Sequence, residues 1–166
     1  MNKVNGKKTS FAPVRNDGTR ITICYGLKQL NGDLYEWREI YLPKSQTNAL
    51  TLDIVKAAII GDINSRTDEK ILTGFSWEGK PIWLSAENQR NFSEAQRMGV
   101  VPVTFKVGED GEGNPVYHTF ETAEEMDEFY RFAFGHIQQS LQAGWQEKDS
   151  IDWAPYEALF PSENAE

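Results

Sequence analysis

Cysteine is almost missing from this chain of 166 residues. The single Cys24 excludes an internal disulfide framework and any zinc site built on several cysteines, and it leaves the compartment open. Long apolar runs are missing too. No stretch reaches the ~18 to 20 apolar residues of a membrane-spanning helix, and the opening Met1 to Ser10 lacks the apolar segment of a secretory signal. The sequence therefore reads as soluble, with no membrane span. Basic charge is scarce, with 17 Lys and Arg against 25 Asp and Glu, for a net charge of −8 and a pI of 4.9. That balance argues against nucleic acid as a partner, because binding it requires a basic face to displace counterions. The stretch from Gly108 to Gly113 carries acids that would repel phosphate and is not followed by Lys-Ser or Lys-Thr, which argues against a nucleotide enzyme.

What is present suffices for a core, with 39% apolar and 12% aromatic residues. Residues 1–45 read as a flexible, locally basic arm followed by a hairpin, and residues 46–166 as an α+β domain. The alternation from Arg20 to Leu27 and from Leu34 to Leu42, around Asn31-Gly32, predicts two antiparallel strands. Leu52, Val55, Ile59 and Ile63 predict an amphipathic helix over 52–66, with Thr51 as its N-cap. Ile71 to Leu84 reads as two short strands turning at Glu78-Gly79-Lys80. Ser85 and Gly99 bracket a second helix. Val101 to Val107 and Pro115 to Phe120 form a further strand pair. Thr122 and Glu125 make a capping box that opens a long helix. On it Met126, Phe129, Tyr130, Ala133, Phe134, Ile137, Leu141 and Trp145 share one broad apolar stripe, while Phe132 points nearly opposite, as an interface residue would. Residues 149–160 read as a short helical tail that packs back. The fold class is α+β: short antiparallel hairpins against two or three helices, with an N-terminal β-hairpin arm.

Asp110, Glu112, Asn114 and Glu121 occupy positions of a calcium-loop template, but Pro115 stands where the template needs glycine, and a strand precedes the loop. The loop is read as solvated, with no metal. His118 and His136 match no metal-binding spacing. Either histidine beside a carboxylate could do acid-base work, and Cys24 with a histidine could form a nucleophile pair. A free cysteine within a hairpin is better read as a small buried hydrophobe. Glu124, Glu125, Asp127 and Glu128 complement the long helix's dipole. Asp149 with Asp152, or Glu36 with Glu39, are read as solvated charge. The sequence asks for no cofactor and points to no catalytic residues. Aromatics are the stronger signal. Tyr35, Trp37 and Tyr41 share one hairpin face and Trp77 and Trp83 flank the second turn, so either set could contact a sugar or a protein. For the first hairpin, contact with another chain is favoured, since little local core stands ready to bury it.

The run from Ile63 to Phe92 has a helix ending in Asn64-Ser65-Arg66, then Gly74-Phe75, the turn Trp77-Glu78-Gly79 and a helix bearing Gln89-Arg90-Asn91. With Val101-Pro102-Val103-Thr104-Phe105, Val116 to Phe120 and Glu147 to Trp153, it resembles a family of unknown-function domains encoded by tailed bacteriophages and prophages, in the version found in gut Bacteroidales. The resemblance covers about residues 52–160 and carries no catalytic residues with it. It implies a phage structural setting, among tail or tail-fibre genes, in the virion or in the bacterial host cytoplasm during assembly. In that setting Phe75, Trp77 and Trp83 would be apolar anchors, and Asn88, Gln89 and Asn91 exposed hydrogen-bonding groups. The expected function is a non-enzymatic virion component or tail-fibre accessory that contacts phage tail or fibre subunits, as a homo-oligomer. The alternatives are a fibre-assembly chaperone and a carbohydrate-binding or hydrolysing receptor module.

Overall fold

Strands β1 (Asn2–Lys7), β2 (Val14–Asn16), β3 (Arg20–Asn31) and β4 (Leu34–Pro43) form one antiparallel sheet in the order β1-β4-β3-β2. The computed structural model describes residues 2–43 and 50–161. The β3–β4 turn falls on Gly32 and Asp33, one residue beyond the expected pair, with Asn31 facing Leu34 and Gly32 at φ 50°. Residues 2–7, expected in a flexible arm, are an edge strand with Val4 opposite Trp37 and Lys3 bound to Glu36 at 3.0 Å.

The chain is α+β and forms two units, residues 1–63 with 147–166, and residues 64–146. In the first, five consecutive residues from Ile21 to Tyr25 are buried because both faces of β3 are covered. Ile21, Ile23 and Tyr25 pack with Val55, Ile59 and Ile63 of α1 (Leu52–Thr73) and with Tyr156 of α4 (Ala154–Glu157). Each of the buried aliphatic side chains contributes roughly 1.5–3 kcal/mol by leaving water. The hairpin therefore has the local core that its sequence did not reveal. Helix α1 starts at Thr51, whose Oγ1 accepts from the Ile54 amide at 3.3 Å. It runs past the expected end at 66, so Ile71 and Leu72 close a helix rather than open a strand.

In the second unit, β5 (Phe75–Trp77) and β6 (Lys80–Ile82) meet at Glu78 and Gly79, with φ 48° and 77°. Two positive φ values at the centre of a two-residue loop match the twist of the flanking strands. Helix α2 (Ala86–Met98) is capped by Ser85, which accepts from the Asn88 amide, and ends on Gly99 in the left-handed region. Strands β7 (Val103–Glu109) and β8 (Pro115–Phe120) follow, then α3 (Ala123–Asp149). At the start of α3, Thr122 Oγ1 accepts from the Glu125 amide at 3.2 Å, and the Glu125 carboxylate accepts from the Glu121 amide at 2.9 Å. Ile82, Leu84, Phe92, Val107, Phe120, Met126 and Phe129 are the heart of this core, with the Phe120 and Phe129 rings 4.8 Å apart.

The two hairpins of this unit meet at Gly108, where a bulge interrupts the β7–β8 register. The Trp83 amide donates to the Val107 carbonyl at 2.6 Å, and a Cβ on Gly108 would stand 2.6 Å from the Pro81 carbonyl oxygen. A backbone atom cannot step aside as a side chain can. Gly108→Ala is expected to destabilise the chain by about 1–3 kcal/mol. Gly111→Ala, where a Cβ meets nothing within 4 Å, is expected to be neutral or stabilising by up to ~1 kcal/mol. Urea denaturation of the two variants measures both, and equal effects would show that the approach at Gly108 does not matter.

Candidate functional site

In the first unit the covered outer face of the sheet surrounds one buried carboxylate, Glu39, which is 6% exposed. Strand alternation places Trp37, Glu39 and Tyr41 on this face, and Cys24 lies opposite Glu39 in the register. Trp37 Nε1 donates to Glu39 at 3.1 Å, the Tyr41 hydroxyl at 2.8 Å, and the Arg15 guanidinium forms a close ion pair with it. The Cys24 thiol lies 3.8 Å from the same carboxylate. Burial opposes ionisation of Glu39, yet the Trp37 and Tyr41 hydrogen bonds and the Arg15 charge outweigh it and hold its carboxyl below the ordinary value of 4.5. Burial also pushes the Cys24 thiol up to about 11, against the pull of Arg15. A thiol fully out of solvent and protonated at neutral pH is a poor nucleophile.

This arrangement removes Trp37 from the contact face expected on the first hairpin. Trp37 is 2% exposed, with Phe11 edge-on at 6.0 Å and Gly6 against its ring, so it offers no surface to another chain. Tyr35 is half-buried, and Tyr41, 38% exposed, carries the Arg20 guanidinium 4.5 Å above its ring.

In the second unit, Trp77 and Trp83 are both half-buried. The Trp77 ring lies 5.6 Å from Phe129 and 5.8 Å from Phe132, and Lys106 sits 5.7 Å from the Trp83 ring. Asn88 and Gln89 were expected to expose free hydrogen-bonding groups. Instead both are half-buried, and their amide nitrogens donate to the carbonyls of Trp83, at 2.8 Å, and Leu84, at 2.6 Å. They lock the loop entering α2. Phe132 is 52% exposed, as its position opposite the apolar stripe required. Phe134 and Trp145, which belong to that stripe, are also each 52% exposed. The buried line on α3 is narrower, running through Met126, Phe129, Ala133, Ser140 and Gly144. Phe134 instead borders a groove of about 280 Å³ with Leu84, Arg90, Phe92, Tyr130 and Ile137.

The acidic loop between β7 and β8 is held by Asp110. Its carboxylate accepts from the amides of Glu112 and Asn114 and from the Asn114 side chain, and the Asn114 backbone bond leads in holding its carboxyl below the ordinary value. Sequence spacing missed a different convergence. His118, 4% exposed on β8, has Lys80 Nζ 2.9 Å from Nδ1 and Glu125 Oε1 2.9 Å from Nε2. A lysine ammonium only donates, so Nδ1 accepts and Nε2 carries its proton toward Glu125. Burial works against the Glu125 carboxylate, but the Glu121 amide and His118 hold its carboxyl below the ordinary value.

The Glu39 cluster yields a signed expectation. A carboxyl whose folded pKa is depressed stabilises above its unfolded pKa, and that contribution fades as pH falls through the lower folded value. Glu39→Gln is expected to cost about 2 kcal/mol at pH 7, the scale of hydrogen bonds to a charged group. The gap to the native chain should narrow as pH falls below 4.5 toward the depressed folded value. Urea titrations at pH 7 and across the acid range test this, and a gap independent of pH would contradict it.

No curated protein and no solved structure matches the chain. A family model does match, over residues 54–164. That span takes in α1 from its first turn, the whole second unit and α4, so the chain belongs to the family described as a domain of unknown function, DUF4376.

Proposed function

We propose that this chain is a non-enzymatic docking module of a tailed phage, a virion component or tail-fibre accessory that contacts fibre or tail subunits. The observation that carries the reading is the exposure of large aromatic rings on α3, Phe134 and Trp145 on one side and Phe132 on nearly the opposite one. Phe132, Phe134 and Trp145 each leave half of a large ring in water, on a helix otherwise rich in charge. Rings of this kind yield most of the energy of a protein interface once a partner desolvates them. The phage setting rests on the motifs shared with prophage-encoded domains, and membership of an unknown-function family accords with it.

Chemistry on the chain favours contact over catalysis. Cys24 is out of solvent with its thiol pushed up, and Glu39 is saturated with donors. The tryptophans are poor sugar platforms, because Trp77 is packed against Phe129 and Phe132 and Lys106 lies over Trp83.

In gradient-purified particles of the encoding phage, mass spectrometry should find the chain at fixed copy number. Phe132→Ser with Trp145→Ser should remove it from particles while leaving the circular dichroism spectrum unchanged, at a stability cost no larger than about 1.5 kcal/mol for the lost ring contacts. Absence from particles together with capture on a fibre protein in infected lysate would replace this reading with an assembly chaperone. Release of sugar from host surface glycan would replace it with a receptor hydrolase.

A further inference from the structure

We propose that Glu78, His118 and Glu125 form a binding site for one divalent zinc ion, with Lys80 as the outer partner of the histidine. One ligand atom from each of the three residues lies within 4.8 Å of the others. They arrive from three elements: the β5–β6 turn, β8 and the first turn of α3. An imidazole nitrogen and two carboxylate oxygens are the donor types zinc takes when it keeps a fourth position for water. Like-charged carboxylates drawn this close repel each other, and among the described residues no Lys or Arg stands within ion-pair distance of either. Lys80 is spent on the opposite nitrogen of the ring. The charge between the two glutamates is therefore unbalanced at the point where His118 Nε2 faces Glu125.

Burial of His118 gives this cluster a rigidity that surface acids lack. Its ring lies 4.5 Å from the Phe120 ring, in the core, and only its two nitrogens engage polar groups. Glu125 is fixed from behind, because its other oxygen accepts from the Glu121 amide. Glu78, on the exposed β5–β6 turn, supplies the third ligand atom.

His118 would bind the ion through Nε2, with Lys80 Nζ 2.9 Å from the other ring nitrogen. A metal-ligating histidine ordinarily has such a partner on its second nitrogen. Bound zinc would tie the tight turn between β5 and β6 to the start of α3.

The test is calorimetric titration of the untagged, chelator-treated full chain with zinc chloride at pH 7.5. Saturation at one ion per chain is expected, with a rise in melting temperature. His118→Asn should abolish it and His136→Asn should leave it intact. Lys80→Met should weaken binding ~10-fold or more, as loss of an outer partner does. If His118→Asn does not fold, Glu78→Gln, in an exposed turn, should lower affinity at least ~10-fold. Lack of saturable binding, or equal binding by the native, His118→Asn and Glu78→Gln chains, would overturn the proposal.

Discussion

A missing Cβ at Gly108 is the constraint on which the second unit depends. Because the Pro81 carbonyl can come that close, the Trp83 amide reaches the Val107 carbonyl and two separate hairpins share a backbone hydrogen bond. Everything placed by the β5–β6 hairpin follows from this approach. Lys80 reaches His118, a Glu78 carboxylate oxygen comes within 4.8 Å of a His118 ring nitrogen, and the Trp83 and Leu84 carbonyls are set where Asn88 and Gln89 can hold them. The bulge in β7 beside Gly108 is part of the same device, since an interrupted ladder lets a strand bend toward a neighbour.

The first unit is organised by a different compromise. A carboxylate buried within a sheet is costly unless donors surround it, and Glu39 has an indole, a phenol and a guanidinium. This explains how polar residues such as Thr22 and Glu39 occupy a face that the alternation of β3 leaves away from α1. It also explains Trp37, whose position is set as much by its N–H as by its bulk.

Local chemistry made much of the fold legible. Ser85 and Gly99 bound α2, Thr122 and Glu125 open α3, and Glu78-Gly79 turns the second hairpin, because each of these signals acts within a few residues of backbone. Legibility failed where the answer lay far away in the chain. Ile71 and Leu72 resemble a strand, but the helix that began at Leu52 continues through them. The hairpin seemed to lack a core because its covering, Val55, Ile59, Ile63 and Tyr156, lies well downstream. On α3 the apolar stripe was wider than the core could cover, so Phe134 and Trp145 remained in water. As for the candidate zinc cluster, Lys80 and His118 are 38 positions apart, and no spacing rule brings them together.

Tyr156 closes the core of the first unit. Its ring packs among residues of β3 and α1, and its hydroxyl donates to the Cys24 carbonyl across 132 positions of chain at 2.6 Å. A polypeptide emerging from the ribosome therefore presents Ile21, Ile23, Val55 and Ile59 long before their last neighbour is made. Residues 64–146 form a contiguous unit with no such wait. The order of synthesis thus favours residues 64–146 folding first, while the N-terminal sheet keeps an open apolar face until Tyr156 has been made.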